Sequence, residues 1–284
     1  MLKQLEKQST KQQNKQQIAA AFSQAANTYD SVADLQRAVG TRLLSLLPEP
    51  VLNSKSILNS KPLDFKPLDN WLDIGCGTGH FCQQLQKKWP SAQGIGLDLA
   101  EGMLQFSRLH CPKVHYLCAD AERLPLASNS QDLVFSSLAL QWCNDFSGVL
   151  HEIKRVLKPN GLLLFSSVAD GSLAELKHSW QAVDAATHVN PFRTFNDYQQ
   201  LVSSSGLEIH RLHCHQHIHH YAKVRDLTSE LKYLGANHIQ AEKPQGWVGK
   251  KGLQQLLSTY ETFRQPQGLP ATWQVVYGVL RKEI

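Results

Sequence analysis

A chain of 284 residues, 42% hydrophobic and 19% charged, has the bulk for one large α/β core or two small ones. It contains no apolar run near the ~20 residues that cross a bilayer, which argues against a membrane protein. Its net charge of +5 tolerates an acidic partner but is too weak to point to nucleic acid.

The first 17 residues are polar and rich in Gln and Lys, with no apolar region of a secretory signal, so the cytoplasm is the expected compartment. Lys3, Lys7, Lys11 and Lys15 fall four apart and would form a basic stripe on any helix there. A frayed, solvated tail is the expectation for 1–17. From Ile18 to Leu47 the spacing of Leu35, Val39, Leu43, Leu46 and Leu47 predicts a capping helix, stopped by Pro48 and Pro50. Residues 52–69 hold a near-duplicate, SKSILNSKPLDFKPLD, that reads as a loop insertion.

Strands and helices then alternate. Short apolar runs at Trp71–Ile74, Gly94–Leu97, Val114–Cys118, Leu133–Ser137 and Leu162–Ser167 predict strands. Helices are expected over Phe81–Lys88, Gly102–His110 and Phe146–Leu157. Lys158-Pro159-Asn160-Gly161 reads as a turn in which Asn and Gly supply positive φ. Such alternation means a mostly parallel sheet covered on both faces. Further helices follow at Ser172–Ala186, Asn196–Ser204, Leu227–Leu234 and Leu253–Arg264, with extended segments at Leu207–His220 and Trp273–Arg281. The expected organisation is one domain over 18–284, with a cofactor-binding core at 70–170 and a lid-like insertion at about 221–264.

The chemistry concentrates in Leu72-Asp73-Ile74-Gly75-Cys76-Gly77-Thr78-Gly79, between a predicted strand and a predicted helix. Its glycines permit a sharp turn and let a ligand lie against main-chain N–H groups. Asp98 closes the second strand, where a carboxylate can accept both ribose hydroxyls. Asp120 follows the third strand, placed to take an adenine amine. A nicotinamide fingerprint would show Gly-x-Gly-x-x-Gly, whereas the spacing here is Gly-x-Gly-x-Gly.

This arrangement closely resembles the class I S-adenosylmethionine-dependent methyltransferases, which implies a Rossmann-like seven-stranded sheet with the last strand antiparallel. The resemblance assigns the methionine moiety to Asp73, Gly75, Gly77 and Gly79, the ribose to Asp98 with Leu99, and the adenine to Asp120 with Ala121. Met103 would pack on the adenine face. S-adenosylhomocysteine would be the product.

Outside the core, Ala21–Asp30, Leu35–Gly40, Ser136–Cys143, Gly171–Leu176, His188–Asn190, Glu230–Ala236 and Leu269–Gln274 resemble the malonyl-[acyl-carrier-protein] O-methyltransferases of biotin synthesis. Asn160 departs from the glycine usual in that family, and the 52–69 insertion is longer. The implied acceptor is the free carboxylate of malonyl-acyl carrier protein or malonyl-CoA. A carboxyl with pKa about 4 is ionised at neutral pH and needs no general base. A cation must position it, ideally a bidentate Arg. Arg193 and Lys232 lead the candidates, followed by Lys243, Arg225 and Arg281. Tyr29 and Gln36, both placed on the capping helix, would cover cofactor or substrate, and Trp142 would contact the acceptor. Two alternatives stay open: another acceptor (an aconitate-like free acid or a quinone-type ring carbon), and a non-catalytic protein of the same fold.

No metal is expected. The six cysteines form no C-x-x-C pair, which disfavours a zinc site or disulfide framework. His213, His215, His217 and His219 share one face of a predicted strand, where an exposed polar face explains them better than a closed metal site. Lys250 and Lys251, between Gly249 and Gly252, follow no Walker pattern, and Ser136 and Ser137 lack a hydrolase elbow.

Overall fold

A computed structural model of the chain describes residues 2–47, 68–236 and 249–284, with side chains from residue 13 onward. Lys243 and nearly all of the 52–69 insertion lie outside the described residues. Seven strands form one sheet: β1 Asn70–Ile74, β2 Gln93–Asp98, β3 His115–Cys118, β4 Gln131–Ser137, β5 Leu157–Ala169, β6 Glu208–Tyr221 and β7 Leu269–Arg281. Their spatial order is β3-β2-β1-β4-β5-β7-β6. The helices are α1 Leu2–Tyr29, α2 Asp34–Ser45, α3 His80–Lys88, α4 Glu101–His110, α5 Phe146–Val156, α6 Ala174–Gln181, α7 Phe195–Ser203, α8 Val224–Tyr233 and α9 Lys250–Glu261. No helix among the described residues is long and apolar enough to cross a membrane.

The continuous apolar runs become the parallel strands. Leu72 pairs with Ile95 of β2 and with Val134 of β4, and Val134 pairs with Leu163 of β5. Trp71, Leu72, Leu133, Val134, Phe135, Leu163, Leu164 and Phe165 are all fully buried or nearly so. Each such side chain contributes roughly 1.5–3 kcal/mol of transfer free energy. β7 runs antiparallel to β5: the Asn160 N–H donates to Lys282 O and the Lys282 N–H to Gly161 O, at 2.8 and 2.9 Å.

Contacts divide the chain into two compact units. The first comprises Asp34–Ser167, Asn196–His213 and Val276–Ile284; the second comprises Met1–Ala33, Val168–Phe195 and Cys214–Val275. The segment expected as a lid thus belongs to a larger, discontinuous unit that also holds α1.

Three features differ from the sequence reading. Residues 2–17 are helical and continuous with α1, because Gln, Lys and Glu are good helix formers and no Gly or Pro occurs before Gly40. The single helix expected over 18–47 is two. Ser31 N–H and Oγ both bond Thr28 O, and Val32 N–H bonds Tyr29 O, so the chain turns at Asp30-Ser31 before Asp34 starts α2. Asp and Ser compete for backbone hydrogen bonds and so favour such breaks. Lys158–Gly161, expected as a turn, lie within the start of β5, and of these four residues Asn160 alone takes positive φ, at 68°.

Candidate functional site

The carboxyl ends of β1, β2, β3 and β4 open side by side in the first unit, and the predicted cofactor residues gather there. The loop after β1 is held over the end of β2: Gly75 N–H and Cys76 N–H both donate to Leu97 O, at 2.7 and 3.1 Å. Gly75 and Gly77 have φ of 70° and 54°, a region costly for residues with a side chain. A Cβ on Gly75 would stand 2.2 Å from Ala139 Cβ, whereas one on Gly77 would meet no atom within 4 Å. Gly75 is therefore constrained by packing, while Gly77 borders open space where a ligand can touch main chain.

Asp98 is the hub of this loop. Its Oδ2 accepts the Gly77 N–H at 2.9 Å and its Oδ1 accepts the Ala100 N–H at 2.8 Å. Each carboxylate oxygen keeps a second lone pair, enough to accept two hydroxyls. Burial raises the Asp98 carboxyl above its ordinary value, and the N–H donors of Ala100, Gly77 and Leu99 oppose that rise. Ala119 N–H donates to Asp98 O at 3.1 Å, tying the ends of β2 and β3 together. Asp120 Oδ1 accepts the Glu122 N–H at 3.0 Å, and Glu122 Oε1 accepts the Asn144 N–H at 2.6 Å. That chain of bonds links the Asp120 loop to the short 3₁₀ turn Leu140–Trp142, where Trp142 lies half-buried. Leu99 and Ala121 are partly exposed at the crevice, while Met103 is buried on α4.

Asp73 lies one layer deeper, 2% exposed at the end of β1, and accepts the Cys82 Sγ–H at 3.3 Å. Burial pushes its carboxyl up to about 7; the Cys82 hydrogen bond lowers it and the nearby Asp98 charge raises it. The folded protein without cofactor therefore holds this proton up to about pH 7, while the unfolded chain releases it near 4. Stability falls between those values as pH rises, by up to about 4 kcal/mol. Asp73→Asn removes that loss: at pH 8 the cofactor-free variant is expected to melt above the parent, at pH 4 close to it. Thermal melts at the two pH values check this, and an equal difference at both would contradict the assignment.

Several supporting side chains carried no recognisable signal in the sequence. Ser107 Oγ on α4 lies 2.7 Å from Gly77 O and 2.9 Å from Met103 O, bracing the glycine loop from outside. After β4, Leu138 takes φ 50° and its N–H reaches both Ser166 O and Ser166 Oγ at 3.1 Å. Gln141 Nε2 donates to Leu138 O at 2.6 Å, and Ser167 Oγ joins Gln141 Oε1 to the buried Tyr198 hydroxyl. Gln141 thus holds the turn that carries Trp142. Gln36 lies on α2 in the same unit, and its Oε1 is buried with no hydrogen-bond partner among the described residues.

The second unit holds the remaining candidates. Thr28 Oγ1 donates to Tyr233 O at 3.1 Å, so Tyr29 at the end of α1 and Lys232 on α8 are carried on neighbouring helices. Lys232 is exposed, and Arg193 is half-buried, its carbonyl accepting the Asp170 N–H at 2.8 Å. Arg225 is exposed at the start of α8. Arg281 belongs to the first unit, and its guanidinium bonds Asn160 Oδ1. Asn160 stands at the amino end of β5, the sheet edge opposite the crevice, so Arg281 is removed from the candidates. Among the described residues no three His, Cys, Asp or Glu converge as a metal site.

A family described as Methyltransferase domain matches residues 72–165. The biotin biosynthesis bifunctional protein BioHC of Cellvibrio japonicus is 42% identical over 95% of this chain, which spans half of that protein's length. The malonyl-[acyl-carrier protein] O-methyltransferase of Hahella chejuensis is 37% identical over 92% of this chain and 88% of its own. A solved SAM-dependent methyltransferase of Thermotoga maritima shares the fold, with TM-score 0.52 at 18% identity over 93% of this chain and 99% of its own. With 37% identity over most of both chains, the chain belongs to the malonyl-[acyl-carrier protein] O-methyltransferase family.

Proposed function

We propose that this chain transfers a methyl group from S-adenosylmethionine to the free carboxylate of a malonyl thioester, carried on acyl carrier protein or coenzyme A, in the cytoplasm. The observation that carries this reading is the extent of the likeness. The match to named O-methyltransferases, at 37–42% identity, spans 92–95% of the chain, so it extends well beyond the glycine loop into the segments that carry Tyr29, Arg193 and Lys232.

The crevice suits the cofactor. Gly77 offers bare main chain beside open space, and Asp98 has lone pairs to spare. In this reading Asp73, Gly75, Gly77 and Gly79 hold the methionine moiety, Asp98 and Leu99 the ribose, and Asp120, Ala121 and Met103 the adenine. When bound, S-adenosylmethionine supplies an electrophilic methyl on a positively charged sulfur. The acceptor carboxylate is already ionised, so no residue has to remove a proton. The chain contributes orientation and exclusion of water. Arg193, with Lys232 as the second candidate, fixes the carboxylate, and Tyr29 and Trp142 cover it. The product is a methyl ester, which hides a charged end from enzymes that extend ordinary acyl chains and so primes pimeloyl synthesis for biotin.

The kind of bond formed gives a sharp test. Label from methyl-labelled cofactor should enter the malonyl thioester and be released by mild alkali as methanol. Arg193→Ala should raise KM for that acceptor at least about tenfold, the loss of one charge-assisted contact, with cofactor affinity unchanged. Alkali-stable label, or label entering an aconitate-like acid or a quinone ring instead, would remove the malonyl assignment.

A further inference from the structure

α3 begins one residue after Gly79 and presents two different faces. Cys82 and Leu85 point inward and are fully buried. His80, Gln84, Lys87 and Lys88, at spacings of four, seven and eight, share the outer face, with Gln83 beside Lys87. With Leu44 at the end of α2 they line a groove of about 700 Å³, wholly within the first unit.

The chemistry of this groove is one-sided. Among the described residues, every ionisable group lining it is a cation or an imidazole, and no carboxylate lines it. Lys87 and Lys88 are exposed, and neither has a carboxylate at ion-pair distance among the described residues; Lys88 Nζ lies 5.6 Å from the centre of the Trp89 ring. Gln84 Nε2 lies 2.8 Å from His80 Nε2, which orients the imidazole at the groove's inner end. Gln83 Nε2 donates to His110 O at 3.4 Å and leaves its amide oxygen to accept. The groove therefore offers two unneutralised ammonium groups at one end, amide donors and acceptors along its length, and an apolar wall at Leu44. The ammonium end lies about 10 Å along the helix from His80, next to the glycine loop.

We propose that this groove binds the phosphorylated pantetheine arm of the acyl substrate, with its phosphate on Lys87 and Lys88 and its amides along Gln83 and Gln84. The arm is an extended chain with a phosphate at one end, two amides within it and the acyl thioester at the other end. It is common to the carrier-bound and coenzyme A forms, so one groove serves both. This inference rests on the malonyl thioester reading above.

The test compares acceptors that differ only in the arm, using the full chain. Lys87→Glu/Lys88→Glu changes two exposed side chains and should leave the melting temperature and cofactor affinity unaltered. KM for malonyl-carrier protein and for malonyl-CoA should each rise at least about tenfold. KM for a phosphate-free analogue, the malonyl thioester of N-acetylcysteamine, should not move, and kcat should hold for all three. An unchanged KM for both phosphorylated acceptors, or an equal rise for the phosphate-free one, overturns the groove assignment while the malonyl reading stands. Failure of the parent protein to methylate any malonyl thioester overturns both.

Discussion

Asp98→Asn is expected to weaken S-adenosylmethionine binding by about a hundredfold or more, with little loss of folding stability. The native carboxylate accepts two main-chain N–H groups, from Gly77 and Ala100, and offers its remaining lone pairs to the crevice. Asparagine keeps one accepting oxygen and turns an NH₂ toward one of those donors. Charge-assisted bonds are worth about 1.5–3 kcal/mol each, so losing those to the cofactor costs at least a hundredfold in affinity. Folding is spared because the substitution also removes a carboxylate whose charged form burial disfavours. Calorimetric titration of the cofactor beside a thermal melt separates the two effects. An unaltered affinity would show that Asp98 serves only the loop.

The two glycines of the turn should respond oppositely to the same added methyl group. Gly75→Ala puts a Cβ 2.2 Å from Ala139 Cβ at φ 70°, so overpacking adds to backbone strain. A loss of about 2–4 kcal/mol in stability follows. Gly77→Ala meets nothing within 4 Å and pays only the strain of φ 54°, about 1–2 kcal/mol. Its methyl group nevertheless stands in the space assigned to the cofactor, so binding should fall by at least about a hundredfold. Denaturant melts and cofactor titration on both variants check the pair. A Gly77→Ala protein that binds normally would show that the ligand lies elsewhere.

The core of the fold was legible because its signals are local. Asp73-Ile74-Gly75 joins a buried strand to a turn that needs positive φ, and Asp98 and Asp120 close the next two strands, so spacing alone aligned them. The break between α1 and α2 was missed because the apolar period on either side is helical and only Asp30-Ser31 interrupts it. The N-terminal segment was misread as frayed because its helix has no apolar stripe of its own; its helicity rests on the absence of breakers.

The supporting shell was invisible for a different reason. Ser107, Ser166, Ser167 and Tyr198 act through contacts between residues about 30 apart in sequence, and a serine in a strand announces no partner. Cys82 forms no motif with the other cysteines, and only its hydrogen bond to Asp73 gives it a place in the site. The acceptor residues divide similarly. Tyr29 and Lys232 lie on neighbouring helices because Thr28 meets Tyr233, a pairing 205 residues apart that no periodicity encodes. Arg281 drew notice by charge alone, and the antiparallel course of β7 carries it to the wrong edge of the sheet.

The central claim, that the malonyl carboxylate is the methyl acceptor, is tested most directly by mass spectrometry of intact carrier protein. Malonyl-loaded and acetyl-loaded carrier are each incubated with the enzyme and S-adenosylmethionine. A gain of one CH₂ on the malonyl form, with the acetyl form unchanged, is the predicted result, because acetyl offers the same arm without a carboxylate. A gain on both forms, or on neither while the cofactor still binds, would contradict it.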